Sequence, residues 1–67
     1  IVEAAVPKSW VGKSLTDVNP RKNLGVNVIG VIDGEHTRVN LDPLEPMQEH
    51  WTLVVVGDNK ALGKLGK

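Results

Sequence analysis

Apolar residues cluster in short runs separated by glycine, proline and asparagine, and each run carries its own punctuation. Ile1 to Val6 is apolar and partly β-branched and is closed by Pro7, which predicts a first strand. Ser9 to Gly12 is a connector. Ser14 opens a helical stretch as its N-cap, with Asp17 in the position of a capping box. Pro20 forbids one smooth helix through that stretch. Asn19-Pro20 instead predicts a restart, with Asn19 as a new N-cap and Pro20 at the first helical position. Gly25 then supplies a left-handed cap. Ser14 to Leu24 is therefore two short helical pieces meeting at Asn19.

Val26 to Ile32 predicts the next strand, and Asp33-Gly34 after it is a strong hairpin signal. A type I′ loop at those two residues would pair Ile32 with Glu35, Ile29 with Arg38, Val28 with Val39 and Asn27 with Asn40. Alternation then puts Val26, Val28, Val39 and Leu41 on a core face. It puts Asn27, Ile29, Val31, His36, Arg38 and Asn40 on a mixed face. Asp42 to Pro46 is a turn-rich connector. Trp51 to Gly57 predicts the last strand. Leu53 to Val56 within it is apolar without alternation, so both of its faces need cover. Asp58 caps a final helix, Asn59 to Leu65, weakened by Gly63.

The expected fold class is α+β: a four-stranded, mostly antiparallel sheet with two short helical regions. Helices this small cover one face of a sheet. A second copy of the chain related by a twofold axis is the simplest cover for the other, so a homodimer is expected.

Composition sharpens this reading. The chain has 67 residues, with 8 Lys+Arg against 8 Asp+Glu and a formal net charge of zero. That is one small domain, 1–67, with little buried surface to stabilise it. The neutral balance argues against a broad polyanion-binding surface, so no DNA or RNA partner is expected. There is no cysteine, which removes disulfides and thiolate metal sites as aids to stability. Two histidines alone cannot close a zinc site. Association is the aid that remains. No apolar run approaches a membrane span, and no signal peptide opens the chain. Beginning at Ile1 inside a strand-like segment, the chain reads as a domain excised from a larger one.

Candidate chemistry is sparse. Ser9, Ser14, Asp17, Asp58, His36 and His50 have no spacing that assembles a hydrolase triad, and no nucleophile-elbow, Walker or G-x-G-x-x-G pattern is present. An enzyme is not expected. Glu35-His36 and Glu49-His50 read as solvated hairpin and loop residues rather than metal ligands. Arg21, in the first turn of the restarted helix, lies six residues before Asn27 at the start of a strand. A guanidinium fork suits a phosphate, and an amide suits a base edge or sugar. The plainer alternative is an exposed arginine and an asparagine satisfying backbone groups at a strand edge. Trp10 and Trp51 are the only aromatics, too few for a base-stacking platform.

Several of these segments, in this order, resemble the C-terminal domain of the regulator of potassium conductance family, the RCK C-terminal or TrkA-C domain. The resemblance rests on Val11 to Leu15, on Asn19 to Arg21 with Gly25 to Ile29, on Asp33-Gly34, and on Leu53 to Asp58 before a final helix. It departs at His50-Trp51, where the family often has Gly-Asp. It implies a twofold dimer acting as a cytoplasmic regulatory lobe of a potassium or other cation channel or transporter at the membrane. It also implies no enzymatic cofactor and a regulatory ligand, cyclic di-adenosine monophosphate (cyclic di-AMP), bound between two subunits. On that resemblance Arg21 would meet the phosphates and Asn27 would make polar contact, while Asn19, Val26, Leu15 and Pro43 would line the adenine pocket. A dimerisation lobe without a nucleotide ligand is the alternative.

Overall fold

A computed structural model describes residues 1–65. Strand β1 (Val2–Ala5) leads through a 3₁₀ turn at Lys8–Trp10 to the short helices α1 (Leu15–Val18) and α2 (Pro20–Leu24). Strands β2 (Asn27–Asp33) and β3 (His36–Arg38) follow, then a long connector, β4 (Thr52–Val56) and α3 (Asn59–Leu62). The strands form one sheet in the order β1-β4-β2-β3, with every pairing antiparallel. The expected α+β class is the one observed.

Local signals account for most element ends. Ser14 and Asp17 form the reciprocal capping box: the Asp17 N–H donates to Ser14 Oγ and the Ser14 N–H to Asp17 Oδ2, each at 3.2 Å. Pro20 is the first residue of α2, and Gly25, at φ +74°, closes it. Asp58 caps α3 by accepting the Ala61 N–H at 2.7 Å. Gly63 ends that helix at Leu62, earlier than the Leu65 that periodicity allowed. Asn19 plays a different part from the one expected. Its side chain caps nothing; its backbone adopts the left-handed region at φ +48° and its N–H donates to the Leu15 carbonyl, ending α1. Asparagine tolerates that conformation better than any other non-glycine residue.

The core lies on one face of the sheet. Leu53 and Val55 of β4 and Val31 of β2 are buried there with Val26, Met47, Trp10 and Trp51. Ala4, Val18, Leu24, Val28 and Leu41 pack around them. On the other face of β4, Thr52, Val54 and Val56 are half-buried. The requirement for cover on both faces is thus met on one side and incompletely on the other within a single chain.

The β2–β3 hairpin departs from the expected register. Asp33 pairs with His36, Ile32 with Thr37 and Val31 with Arg38, so the two-residue loop is Gly34-Glu35. Gly34 is at φ +61°, while Asp33 and Glu35 are not in the positive-φ region. Glycine at the first central position is the arrangement of a type II′ turn, not type I′. The faces change as well. A bulge lies between Val28 and Gly30, inserting Ile29 without a partner on β4. One extra residue reverses the alternation, so Val28 and Val31 both face the core. Val31 therefore leaves the mixed face assigned to it. Val39 lies beyond the short β3 and is 70% exposed rather than part of the core.

Candidate ligand-binding corner

The residues singled out in the sequence come from α1, α2, the start of β2 and the connector whose Pro43 is bonded to α1. Leu15 is the first residue of α1 and is half-buried against the core. Asn19 is the exposed joint between the two helices. Arg21 is the second residue of α2 and is exposed. Its carbonyl accepts the Gly25 N–H at 3.1 Å, and the Pro20 carbonyl accepts the Val26 N–H at 3.4 Å, so α2 is tied directly to the start of β2. Asn27 opens β2 opposite Val56 and is exposed. Among the described residues, no side chain pairs with the head groups of Arg21, Asn19 or Asn27. Arg21 is exposed, as the plainer alternative also expects, while among the described residues the Asn27 amide caps no backbone group.

Pro43 arrives from the distant connector. Its carbonyl accepts the Thr16 N–H at 3.0 Å, which satisfies a first-turn donor of α1 that has no partner inside the helix. That bond brings the connector to the helix that carries Leu15. Val26 is placed differently from its neighbours: it is fully buried, with its side chain turned into the core towards Gly57. In a single chain it supports the corner from beneath and shows no side-chain surface to solvent.

The enclosed space lies elsewhere. A cavity of about 10 Å³ sits under the connector, bounded by Leu15, Val28, Trp51 and Glu45 among others, and is too small for an organic ligand. An open groove of about 430 Å³ runs along Ala5, Val6, Lys8, Val11 and Glu49. Neither is lined by Arg21, Asn19 or Asn27. Asn19, Arg21, Asn27 and Pro43 are exposed in one chain.

Two polar clusters had no local signature in the sequence. Arg38 on β3 makes a forked pair with Glu45, Nη1 to Oε2 at 3.2 Å and Nη2 to Oε1 at 2.5 Å. The same guanidinium lies 5.4 Å from the centre of the Trp51 ring. The bond to Glu45 pushes the arginine pKa further up, against a smaller opposing effect of burial. The cation therefore persists at every pH below its own raised value, and the pair is not lost on the arginine side in ordinary buffers. In the second cluster His50 Nε2 meets Asp33 Oδ1 at 2.7 Å on the surface. Polar partners seven and seventeen residues apart across loops are invisible to periodicity, because only the closed fold brings them together.

The TrkA-C domain family matches residues 1–67, the whole sequence. This chain belongs to the TrkA-C family. Among solved structures, the RCK C domain of the potassium transport protein KtrA, in complex with cyclic di-AMP, is similar at TM-score 0.87 and 22% identity. The similarity covers 94% of this chain and 74% of that one. The RCK_C domain dimer of BusR from S. agalactiae, also in complex with cyclic di-AMP, is similar at TM-score 0.81 and 18% identity, covering 94% and 80%. At these identities the likeness concerns the fold. No curated protein matches the TrkA-C chain described here.

One expectation is corrected by these relatives. S. agalactiae BusR also carries this fold, at 18% identity, in complex with its busAB-promoter DNA. The exclusion of DNA drawn from neutral charge therefore does not hold for proteins built with this lobe. The physical reason is one of scope: the matched region is 32% of that chain, and the charge balance of 67 residues does not describe the rest of a parent protein. No helix among the described residues is long and apolar enough to cross a membrane.

Proposed function

We propose that this TrkA-C domain is a non-enzymatic sensing lobe that binds cyclic di-AMP between two copies of the chain and reports occupancy to the protein it belongs to. The observation that carries the reading is the corner itself. Arg21, Asn19 and Asn27 stand exposed and, among the described residues, unpaired, in a fold whose KtrA and BusR relatives are complexes with this ligand. An arginine on a helix, with no carboxylate partner among the described residues, is available for a phosphate. A ligand with twofold symmetry and two phosphates suits a twofold pair of chains, each supplying one Arg21. The exposure of these side chains in one chain fits a site completed by a second.

In this reading Arg21 meets phosphate, Asn27 and Asn19 make polar contacts, Leu15 and Pro43 face the adenine, and Val26 holds the floor. Ligand bound across the two chains favours one relative orientation of them, which is the means of regulation. We place the lobe in a cytoplasmic regulator of potassium or other cation transport; KtrA is a potassium transport protein. A DNA-binding regulator is the second reading, and it rests on the BusR promoter complex.

Calorimetric titration with cyclic di-AMP tests the proposal. One ligand per two chains is expected. Each charge-assisted contact contributes about 1.5–3 kcal/mol, so Arg21→Ala, acting twice per dimer, weakens binding on the order of a hundredfold or more. An absence of heat at concentrations where the dimer is intact refutes the ligand and leaves a dimerisation lobe.

A further inference from the structure

We propose that Arg38 is a positioning residue for the Pro43 wall of the ligand corner, acting through Glu45; the ligand half of this inference rests on the function proposed above.

Residues Asp42 to Glu45 form one tight turn. The Glu45 N–H donates to the Asp42 carbonyl at 3.1 Å, and the Leu44 N–H donates to Asp42 Oδ1 at 2.9 Å. Pro43 occupies the second position of that turn, where its fixed φ is favoured. Glu45 occupies the fourth, so the carboxylate and the proline ring belong to one stiff unit. The forked pair from Arg38 holds Glu45 with two parallel bonds and restricts its rotation, as a single lysine bond would not. Arg38 is itself held from two sides. Its backbone lies in β3 opposite Val31, and its guanidinium rests on the buried Trp51.

The turn meets α1 at one bond, Thr16 N–H to the Pro43 carbonyl. Past the turn, Met47 exchanges backbone bonds with the α1 side of the connector: Gly12 N–H to the Met47 carbonyl at 2.9 Å, and Met47 N–H to the Lys13 carbonyl at 2.8 Å. The segment is thus pinned by backbone at Met47, and among the described residues the side-chain hydrogen bonds that tie Asp42 to Pro46 to the sheet are those of Arg38 with Glu45. Without that tie the turn can swing about Met47. The Pro43 carbonyl then leaves the Thr16 N–H, and the proline moves relative to the helix that carries Leu15.

Hydrogen exchange at the Thr16 amide and calorimetry with cyclic di-AMP test this in the whole chain. Arg38→Ala is expected to speed Thr16 exchange about two- to fivefold, the scale of losing a partly exposed forked ion pair. The Leu62 amide, bonded to the Asp58 carbonyl in α3, should exchange as in the parent. Affinity should fall by a similar factor. The reversed pair Arg38→Glu with Glu45→Arg should recover most of both, and Arg38→Lys, which keeps the charge without the fork, should lie between. A rescue by reversal is not expected of a mere packing defect, and Arg38→Lys serves if Arg38→Ala does not fold. Thr16 exchange unchanged in Arg38→Ala, or unchanged affinity despite faster exchange, overturns the positioning role. If the parent chain binds no cyclic di-AMP, the functional reading falls on its own, and Thr16 exchange alone decides whether Arg38 holds the turn.

Discussion

Gly57 and Val26 offer a test of the core beneath the ligand corner. A Cβ on residue 57 would stand 2.8 Å from Val26 Cγ1, closer than two carbons can approach, while the next atoms lie at 3.5 Å. Gly57 is not in the left-handed region, so the cost of Gly57→Ala is the collision and not the backbone. Overpacking of this kind costs about 2 kcal/mol. Val26→Ala removes two methyl groups from a fully buried side chain. At about 0.8 kcal/mol for each group, plus about 1 kcal/mol for the space left behind, its cost is about 2.5 kcal/mol. Independent effects would sum to about 4.5 kcal/mol. The two are not independent, because alanine at 26 has no Cγ1 for the new methyl to strike, and that methyl occupies part of the space vacated. The double variant should cost only about 2–2.5 kcal/mol, a coupling of about 2 kcal/mol. Urea unfolding of the four proteins at one concentration measures it, since association would otherwise shift the midpoints. In a domain of this length the additive and coupled outcomes differ by roughly 10 °C in Tm. Additivity within about 0.5 kcal/mol would refute the packing described here.

Other substitutions separate local signals from tertiary ones. Ser14→Ala breaks the capping box of α1 and should cost about 1 kcal/mol in a denaturant melt; no measurable change would mean that the cap is dispensable. Asn19→Gly should be neutral or stabilising, because φ +48° suits glycine, whereas Asn19→Ala should lose about 1 kcal/mol. Equal effects of the two would contradict the left-handed joint. Val39→Ser should change stability by less than about 0.5 kcal/mol, since the side chain is 70% exposed; a core-sized loss would restore the register that sequence alone favours.

The candidate corner was legible in part. Arg21 and Asn27 drew notice because a cation in a first helical turn lies close in sequence to a polar strand start, and the chain between them is short enough to keep them together. Leu15 and Pro43 could be associated with them only through family resemblance. What joins those two is a backbone bond from Thr16 to a loop nearly thirty residues on, and no pattern of side chains announces it. Val26 shows the opposite case: periodicity placed it in the core and resemblance placed it in the pocket, and it lies wholly in the core. Arg38, Glu45 and Trp51 went unpaired in the sequence because their partners come from three separate segments.

Features set by neighbouring residues were determined by the sequence itself. The break at Pro20, the caps at Ser14 and Asp58, the stop at Gly25 and the apolar run of Leu53 to Val56 each follow from dihedral limits or bonds within a few residues. The register of the hairpin did not, because a bulge depends on how β2 meets β4, and β4 lies some twenty residues downstream. One unpartnered residue, Ile29, reversed the faces of half a strand and moved Val31 into the core. Tertiary structure decided that point, since alternation describes a lone strand and only pairing fixes which residues oppose one another.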